Sequence, residues 1–297
     1  MPVYNRRDLV TSSADSVLQQ TYPDVELVMI NDGSTDGSAE VLDNYAIRAP
    51  DRVTVIHQKN TGQVVARNNG IAAAKGQYIA FLDSDDTWEH DKLEKQIPLF
   101  QDGVGLVYSG IYEVDESGEV VQKVIPPKSM RGDIYQHLLV KNGMTGGSVI
   151  VTREALNHVG LFDSELRAAE NWDLWIRIAK KYKVDFVSEP LVRYLKHPGN
   201  MSSETNIMLQ ASSQVYAKHL GKDDTDPSLK YIRKQAYAYL FYCSGVSAFG
   251  RRDYRRARKE FLTCWRYVPL FGDSFLRYLR TFLGVKANEL LSGMRRH

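Results

Sequence analysis

Residues 77–93 read QYIAFLDSDDTWEHDKL, and the fold is decided here. An apolar run, Tyr78-Ile79-Ala80-Phe81-Leu82, stops at Asp83-Ser84-Asp85-Asp86, and a polar segment then passes Trp88 to Lys92-Leu93. A short aromatic and β-branched run bounded in this way predicts a buried strand. Carboxylates crowded at its exit repel one another and cost stability unless a cation compensates. Ligands of open α/β sheets bind at the carboxyl ends of strands. Hard divalent cations take oxygen ligands, often with substrate phosphates. One reading of the stretch is therefore a metal–diphosphate site. The other is an acidic turn in which an aspartate caps the next helix.

Upstream, Val25–Ile30 and Arg52–His57 predict further strands, and residues 6–20, 39–49 and 62–76 carry helical spacing. This alternation predicts βαβ units and a mostly parallel sheet. No G-x-G-x-x-G or Walker lysine motif is present, which weighs against dinucleotide and P-loop enzymes. The loop Asn31–Ser38 has three readings. Asp32, Ser34, Asp36, Gly37 and Asp43 match positions of a calcium loop, although a strand precedes them. Asp32 could instead accept hydrogen bonds from a base N–H or sugar hydroxyls, or the loop could be an ordinary polar βα connection.

Downstream, a helix is expected over 89–101 and strands over 104–108 and 111–114, the latter forming a hairpin with 120–125. A short helix over 133–141, a loop at Asn142–Gly147, a strand at Ser148–Thr152 and a helix over 153–158 follow. Apolar residues at 172, 175, 176 and 179 predict a helix that begins at Glu170-Asn171. Glu170 would be stabilised there by the helix dipole, either as a simple cap or as a proton acceptor. A last strand around 184–187 and 191–195 leads to His197, a candidate for metal or phosphate contact or an ordinary solvated loop histidine.

The formal charge of +2 on 297 residues hides an asymmetry: residues 228–297 hold 15 Lys/Arg and 4 Asp/Glu, and the remainder is net acidic. A basic tail of this kind suits anionic lipid, nucleic acid or an acidic partner. Cys243 and Cys264 form no disulfide framework or metal spacing, which fits a reducing cytosol. Neither a signal peptide nor an apolar run of about 18 residues is visible, so no membrane span is expected. The expected location is cytoplasmic, with peripheral attachment to the inner face of the membrane.

Several motifs agree in order: Met1-Pro2-Val3-Tyr4-Asn5, Asn31-Asp32-Gly33-Ser34-Thr35-Asp36, Asn60-x-Gly62 with Ala66-Arg67-Asn68-x-Gly70, Phe81-Leu82-Asp83-Ser84-Asp85-Asp86-x-Trp88, and Glu170-Asn171-Trp172-Asp173-Leu174-Trp175. Together, over about residues 1–204, the sequence resembles a family-2 glycosyltransferase of the GT-A fold. That resemblance implies an α/β domain with a mixed, mostly parallel central sheet and helices on both faces; beyond it, the sequence itself predicts an α-helical C-terminal extension over 205–297. It also implies inverting transfer of a sugar from a nucleoside diphosphate sugar to a glycan or lipid-linked acceptor, in polysaccharide or cell-surface glycan synthesis.

By the same resemblance, Pro2, Tyr4, Asn5, Asp32, Ser34, Gly62, Arg67, Asp83, Ser84 and Asp85 would line the nucleotide-sugar site. Tyr4 would pack near the base, and Asp32 would bond it. Asp85 would be the preferred ligand of a divalent metal, Mn²⁺ or Mg²⁺, with Asp83 and His197 beside it. Gly146, Gly147 and Trp172 would face the acceptor. The family's usual acidic pair at the helix start is here Glu170-Asn171, and an amide accepts no proton at neutral pH. Glu170, or failing that Asp173, is therefore expected to act as base. A rival reading is a catalytically impaired nucleotide-sugar-binding or scaffold protein. A sugar-phosphate nucleotidyltransferase is disfavoured by the absence of a Gly-rich phosphate loop. The family also carries an apolar strand ahead of the Met1–Asn5 match, so the native start is expected upstream or the chain to be poorly stable.

In the tail, Gly221–Ser228 suggests a linker. Helices are expected over 229–249, 254–267 and 274–291, the first two resembling one tetratricopeptide-like pair. Arg251, Arg252, Arg255, Arg256, Arg258 and Lys259 make a basic cluster that suits an anionic membrane surface or a solvated helix face. No nucleic-acid-binding module is recognisable.

Overall fold

A computed structural model describes residues 1–197, 199–200, 205–221 and 227–283. The chain divides into two compact units, residues 1–138 with 143–200 and residues 139–142 with 201–297.

The first unit begins with β1 (Pro2–Val3), α1 (Val10–Leu18), β2 (Leu27–Asp32), α2 (Ser38–Arg48), β3 (Val53–Gln58) and α3 (Gln63–Ala73). The three strands form a parallel sheet in the order β1-β2-β3, with Pro2 opposite Ile30 and Leu27 opposite Val53. All six residues of β2 are buried, as expected of a parallel strand covered on both faces. Next come β4 (Tyr78–Ala80), β5 (Thr87–Trp88), α4 (Lys92–Gln96), β6 (Val104–Val114), β7 (Val120–Val124), α5 (Tyr135–Leu138), β8 (Ile150–Thr152), α6 (Arg153–Val159), α7 (Glu170–Ala179) and β9 (Lys183–Leu195). They build a six-stranded sheet in the order β4-β8-β6-β9-β5, with β7 on β6.

Two expectations need correction here. The strands form two sheets, and in the larger one only the β6–β9 pairing is parallel. The segment around 104–114 is one long strand instead of two, because irregular pairing with the last strand, 183–195, carries the ladder past Ser109-Gly110. Between the two sheets, an apolar cleft runs beside Leu27, Val28, Tyr78, Ile79 and Ile150. Beneath them Val10, Met29, Leu42, Leu82, Trp88, Leu93 and Val192 share one core, so both sheets are packed on common ground.

Lys92 is an exception within that core. It is fully buried, its Nζ lies 4.3 Å from the centre of the Trp88 ring, and Nζ has no hydrogen-bond partner among the described residues. Burial pushes its pKa well below the usual lysine value. The folded state then binds fewer protons than the unfolded chain, so the resulting penalty is present at neutral pH and shrinks as pH rises toward 10.5. Lys92→Met should stabilise the protein by about 1–3 kcal/mol at pH 7, the cost of an unpartnered buried polar group. Chemical unfolding at pH 7 and pH 10 should show the gain narrowing at the higher pH; an equal gain at both would reject the titration account.

The second unit contains α8 (Thr205–Leu220), α9 (Pro227–Gly250), α10 (Tyr254–Tyr267) and α11 (Ser274–Arg280). Asp253 caps α10 by accepting the Arg256 N–H at 3.0 Å. At Gly245 a Cβ would meet the Phe261 ring at 2.6 Å, so a glycine is needed for α9 and α10 to approach this closely. Ala248, Ala257 and Phe261 form the seam, and Tyr267 stacks on Tyr237 and Phe241. Residues 284–291 of the expected third helix, linker residues 222–226 and residues 201–204 lie outside the described residues.

Candidate active site

The site is built where β1, β2 and β4 end. Two loops are stitched together there. The Asn5 N–H donates to Ser34 Oγ at 3.0 Å, Asn5 Oδ1 accepts the Thr35 N–H at 2.9 Å, and the Arg6 N–H donates to Ser38 Oγ at 2.9 Å. Asn5 holds φ at +51°, a left-handed conformation that asparagine tolerates better than most residues. Gly33 also has positive φ, and a Cβ there would strike the Asn60 nitrogen at 2.8 Å. Tyr4 is exposed above this floor, and Pro2 belongs to β1 beneath it.

Asp32 is buried and already engaged. Its Oδ1 accepts from Gln58 Nε2 and the Thr61 N–H, both at 2.8 Å, and its Oδ2 accepts the Gly62 N–H at 2.9 Å. It thereby fixes the loop that opens α3, while Oδ2, with the Gly62 N–H as its one donor among the described residues, keeps capacity to accept another N–H. Gln58 and Thr61 went unmarked in the sequence, because a partner of this kind is revealed only by tertiary pairing.

Arg67, carried inward by α3, links two distant carboxylates. Its Nη1 donates to Glu170 Oε1 through a short bond, and its Nη2 donates to Asp83 Oδ1 at 2.6 Å. Burial opposes its charge, but Asp83 and Glu170 outweigh that penalty and raise its pKa. Glu170 is also buried at the start of α7, preceded by Ala169 in a left-handed conformation. Arg67 thus holds Oε1 in place and leaves Oε2 without that guanidinium contact.

Asp85 is the second junction. Its Oδ2 lies 3.2 Å from His197 Nε2 and 3.4 Å from Arg6 Nε. Three distant parts of the chain meet on one oxygen, and Arg6, next to the Asn5 match, was overlooked in the sequence. An oxygen and an imidazole nitrogen 3.2 Å apart fit two neighbouring ligands of one octahedral cation, which sit about 3.0 Å apart when each bond is about 2.1 Å. Among the described residues no group of three or more His, Cys, Asp or Glu could hold a metal, so diphosphate oxygens and water would complete the shell. His197 Nδ1 accepts the Gly199 N–H at 3.1 Å, so Nε2 carries the proton and donates to Asp85. Taking a cation through Nε2 requires that proton to move to Nδ1 and the Gly199 amide to let go. Asp83, partly exposed, accepts from Arg67 through Oδ1.

Asp86 and Ser84 are buried beneath this cluster. Burial, reinforced by the Asp83 and Asp85 charges, lifts the Asp86 carboxyl well above the usual carboxylate range. Asp86 Oδ1 accepts the Leu195 N–H at 3.0 Å, tying the end of β4 to the end of β9 just before His197.

On the expected acceptor side, a Cβ at Gly146 would sit 3.0 Å from Asn171 Nδ2, and one at Gly147 would sit 3.6 Å from Asp86 Oδ2. These glycines keep the loop close against the site. Asn171 Oδ1 is buried with no hydrogen-bond partner among the described residues. Trp172 and Asp173 turn the other way. The Trp172 indole is buried and donates to the Leu138 carbonyl at 2.6 Å, so it packs the interior instead of facing an acceptor. Asp173 is fully buried and paired with Arg177 at 2.9 Å, and Arg177 also donates to the carbonyls of Val159, Gly160 and Leu161. That network locks α7 to the end of α6, with Asp173 at its centre.

A parallel α/β half, a mixed second sheet and an acidic strand end at their junction define a GT-A glycosyltransferase fold. The chain belongs to the glycosyl transferase family 2, whose family model matches residues 1–160. An uncharacterized glycosyltransferase of Nostoc sp. is 43% identical over 287 residues, covering 92% of this chain and 85% of the relative. The glycosyltransferase TuaG of Bacillus subtilis, named for teichuronic acid biosynthesis, is 33% identical over 184 residues, covering 61% of this chain and 70% of that protein. An uncharacterized glycosyltransferase of Rickettsia bellii is 34% identical over 192 residues, which is 64% of this chain but only 27% of that relative's length. Among solved structures, S. aureus TarS 1–349 in complex with UDP has a TM-score of 0.62 at 17% identity, covering 95% of this chain and 87% of that one. The mannosyltransferase PcManGT of Pyrobaculum calidifontis, in complex with GDP-Man and Mn²⁺, has a TM-score of 0.61 at 20% identity, covering 94% and 82%.

Proposed function

We propose that this chain transfers a sugar from a nucleoside diphosphate sugar to an acceptor hydroxyl with inversion, in the assembly of a cell-surface polysaccharide. The observation that carries the proposal is the meeting of Arg6, Asp85 and His197 on one carboxylate oxygen beside the Arg67–Asp83 pair. Charge of both signs is thus concentrated where a donor diphosphate would lie in this fold. UDP and GDP-Man in the two structural neighbours and the teichuronic acid relative support the donor class and the glycan product.

Asp85 and His197 would hold a divalent cation, which when bound neutralises the departing diphosphate. The acceptor oxygen forms its bond to the sugar's anomeric carbon as the bond to phosphate breaks, and the nucleoside diphosphate leaves. The acceptor proton passes to Glu170, through Oε2, while Arg67 holds Oε1 and keeps the side chain in place. Arg6 and Arg67 supply fixed positive charge near the diphosphate, so little reorganisation accompanies charge development.

Incubation with a panel of UDP- and GDP-sugars, with and without Mn²⁺, tests the reading by release of nucleoside diphosphate. At least one donor should be turned over in a Mn²⁺-dependent manner when an acceptor glycan is supplied. Donor binding without release from any sugar would favour a nucleotide-sugar-binding scaffold.

A further inference from the structure

Helix α11 is inside out. Ser274 and Thr281, one face of the helix and its following turn, are fully buried or nearly so, and Arg277 on that face pairs with Asp273. The other side carries Phe275, Leu276 and Leu279 on the helix and Phe282 and Leu283 in the turns that follow it, all 39 to 61% exposed. Their spacing of 1, 4, 7 and 8 residues from Phe275 makes a continuous apolar stripe. The inward polar residues are satisfied: Ser274 Oγ accepts from the Trp265 indole at 2.7 Å, and Thr281 Oγ1 donates to the Tyr278 carbonyl at 2.6 Å. The helix is therefore anchored through its polar face, and the packing presents the stripe outward.

What surrounds the stripe is basic. Residues 251–283 contain nine Lys/Arg against three Asp/Glu. The Arg258 guanidinium lies 4.8 Å from the centre of the Phe282 ring, and Arg255 and Lys259 are exposed one turn apart on α10. We infer that the outward face of α11, with the basic flank of α10, docks on an anionic phospholipid bilayer and lies in its interface. Apolar side chains bury into the acyl boundary while nearby Lys and Arg meet the headgroups. Charge complementarity selects this occupant. A second copy would bring an equally basic surface against the first, and a neutral bilayer would leave the basic flank unmatched. No helix among the described residues is long and apolar enough to cross a membrane, so attachment is to the surface. The inference is independent of the sugar-transfer proposal.

Co-sedimentation of the full chain with vesicles of phosphatidylcholine, alone or with phosphatidylglycerol, tests it at low and high salt. Binding should require phosphatidylglycerol and weaken at high salt. The triple substitution Leu276→Ser, Leu279→Ser, Phe282→Ser should lower binding about ten-fold or more, since apolar burial supplies part of interfacial affinity. Arg255→Glu with Lys259→Glu should lower it about ten-fold or more through the headgroup attraction. Both variants change exposed positions, so their thermal melts should match the parent. Failure of the parent to bind phosphatidylglycerol vesicles, or undiminished binding by the serine variant, overturns the inference. Dimerisation that the serine variant abolishes, without vesicle binding by the parent, would assign the face to a second copy and likewise overturn it.

Discussion

Replacing Arg67 with methionine should destabilise the first unit by about 3–5 kcal/mol, the cost of removing one partner from a buried ion pair. Glu170 and Asp83 would lose the guanidinium that now bridges them, and Glu170 would be left buried without its counter-ion. Methionine fills a similar volume, so the loss is electrostatic and not a cavity effect. Glu170→Gln is the control, because a glutamine carbonyl still accepts from Nη1 and leaves no uncompensated negative charge. It should therefore cost much less stability than Arg67→Met, yet lower sugar transfer if Glu170 takes the acceptor proton. Equilibrium denaturation separates the cases: similar losses for the two variants would mean that a stranded Glu170 charge is not what destabilises the fold. Transfer left intact by Glu170→Gln would remove Glu170 as base.

Asp85→Asn should do the reverse, sparing the fold and abolishing turnover. The amide can still accept from Arg6 and His197, and the change removes one of the charges that lift the Asp86 carboxyl. Stability should therefore hold or rise slightly. Transfer should fall by about 10²–10³-fold, the scale of losing one group that stabilises developing charge in an excluded site. A melt and a turnover assay on the same preparation read both effects. Lost activity accompanied by a lowered melting temperature would place Asp85 among structural residues; unchanged activity would remove it from the site.

Much of the scaffold was legible because its signals are local. The strand at Tyr78–Ala80, shorter than the apolar run it was read from, the helix starting at Glu170 and the α10 span Tyr254–Tyr267 follow from period, caps and breakers within a few residues. The expected helix over 89–101 shortened to α4, where Pro98 forces a 3₁₀ turn at Ile97–Leu99. Pairing was less legible. Ser109-Gly110 resembles a turn, yet β9 carries the strand through it, and nothing local announces the division into two sheets. The site was legible to the same degree. Asp85 and His197 were singled out separately and lie together, but Arg6 needed the fold to reveal it. Trp172 and Asp173 lie buried in α7, which is covered on nearly every side. Its polar stripe, Glu170, Asp173 and Arg177, holds more than one carboxylate, so spacing alone does not say which of them meets the site.

Calorimetric titration of UDP and GDP into the protein, with and without Mn²⁺, tests the central claim most directly when run beside Asp85→Asn. The account predicts that at least one nucleoside diphosphate binds, that Mn²⁺ tightens it, and that the tightening disappears in Asp85→Asn while the metal-free affinity changes little. Absence of binding by either nucleotide, or equal tightening by Mn²⁺ in the variant, would contradict it.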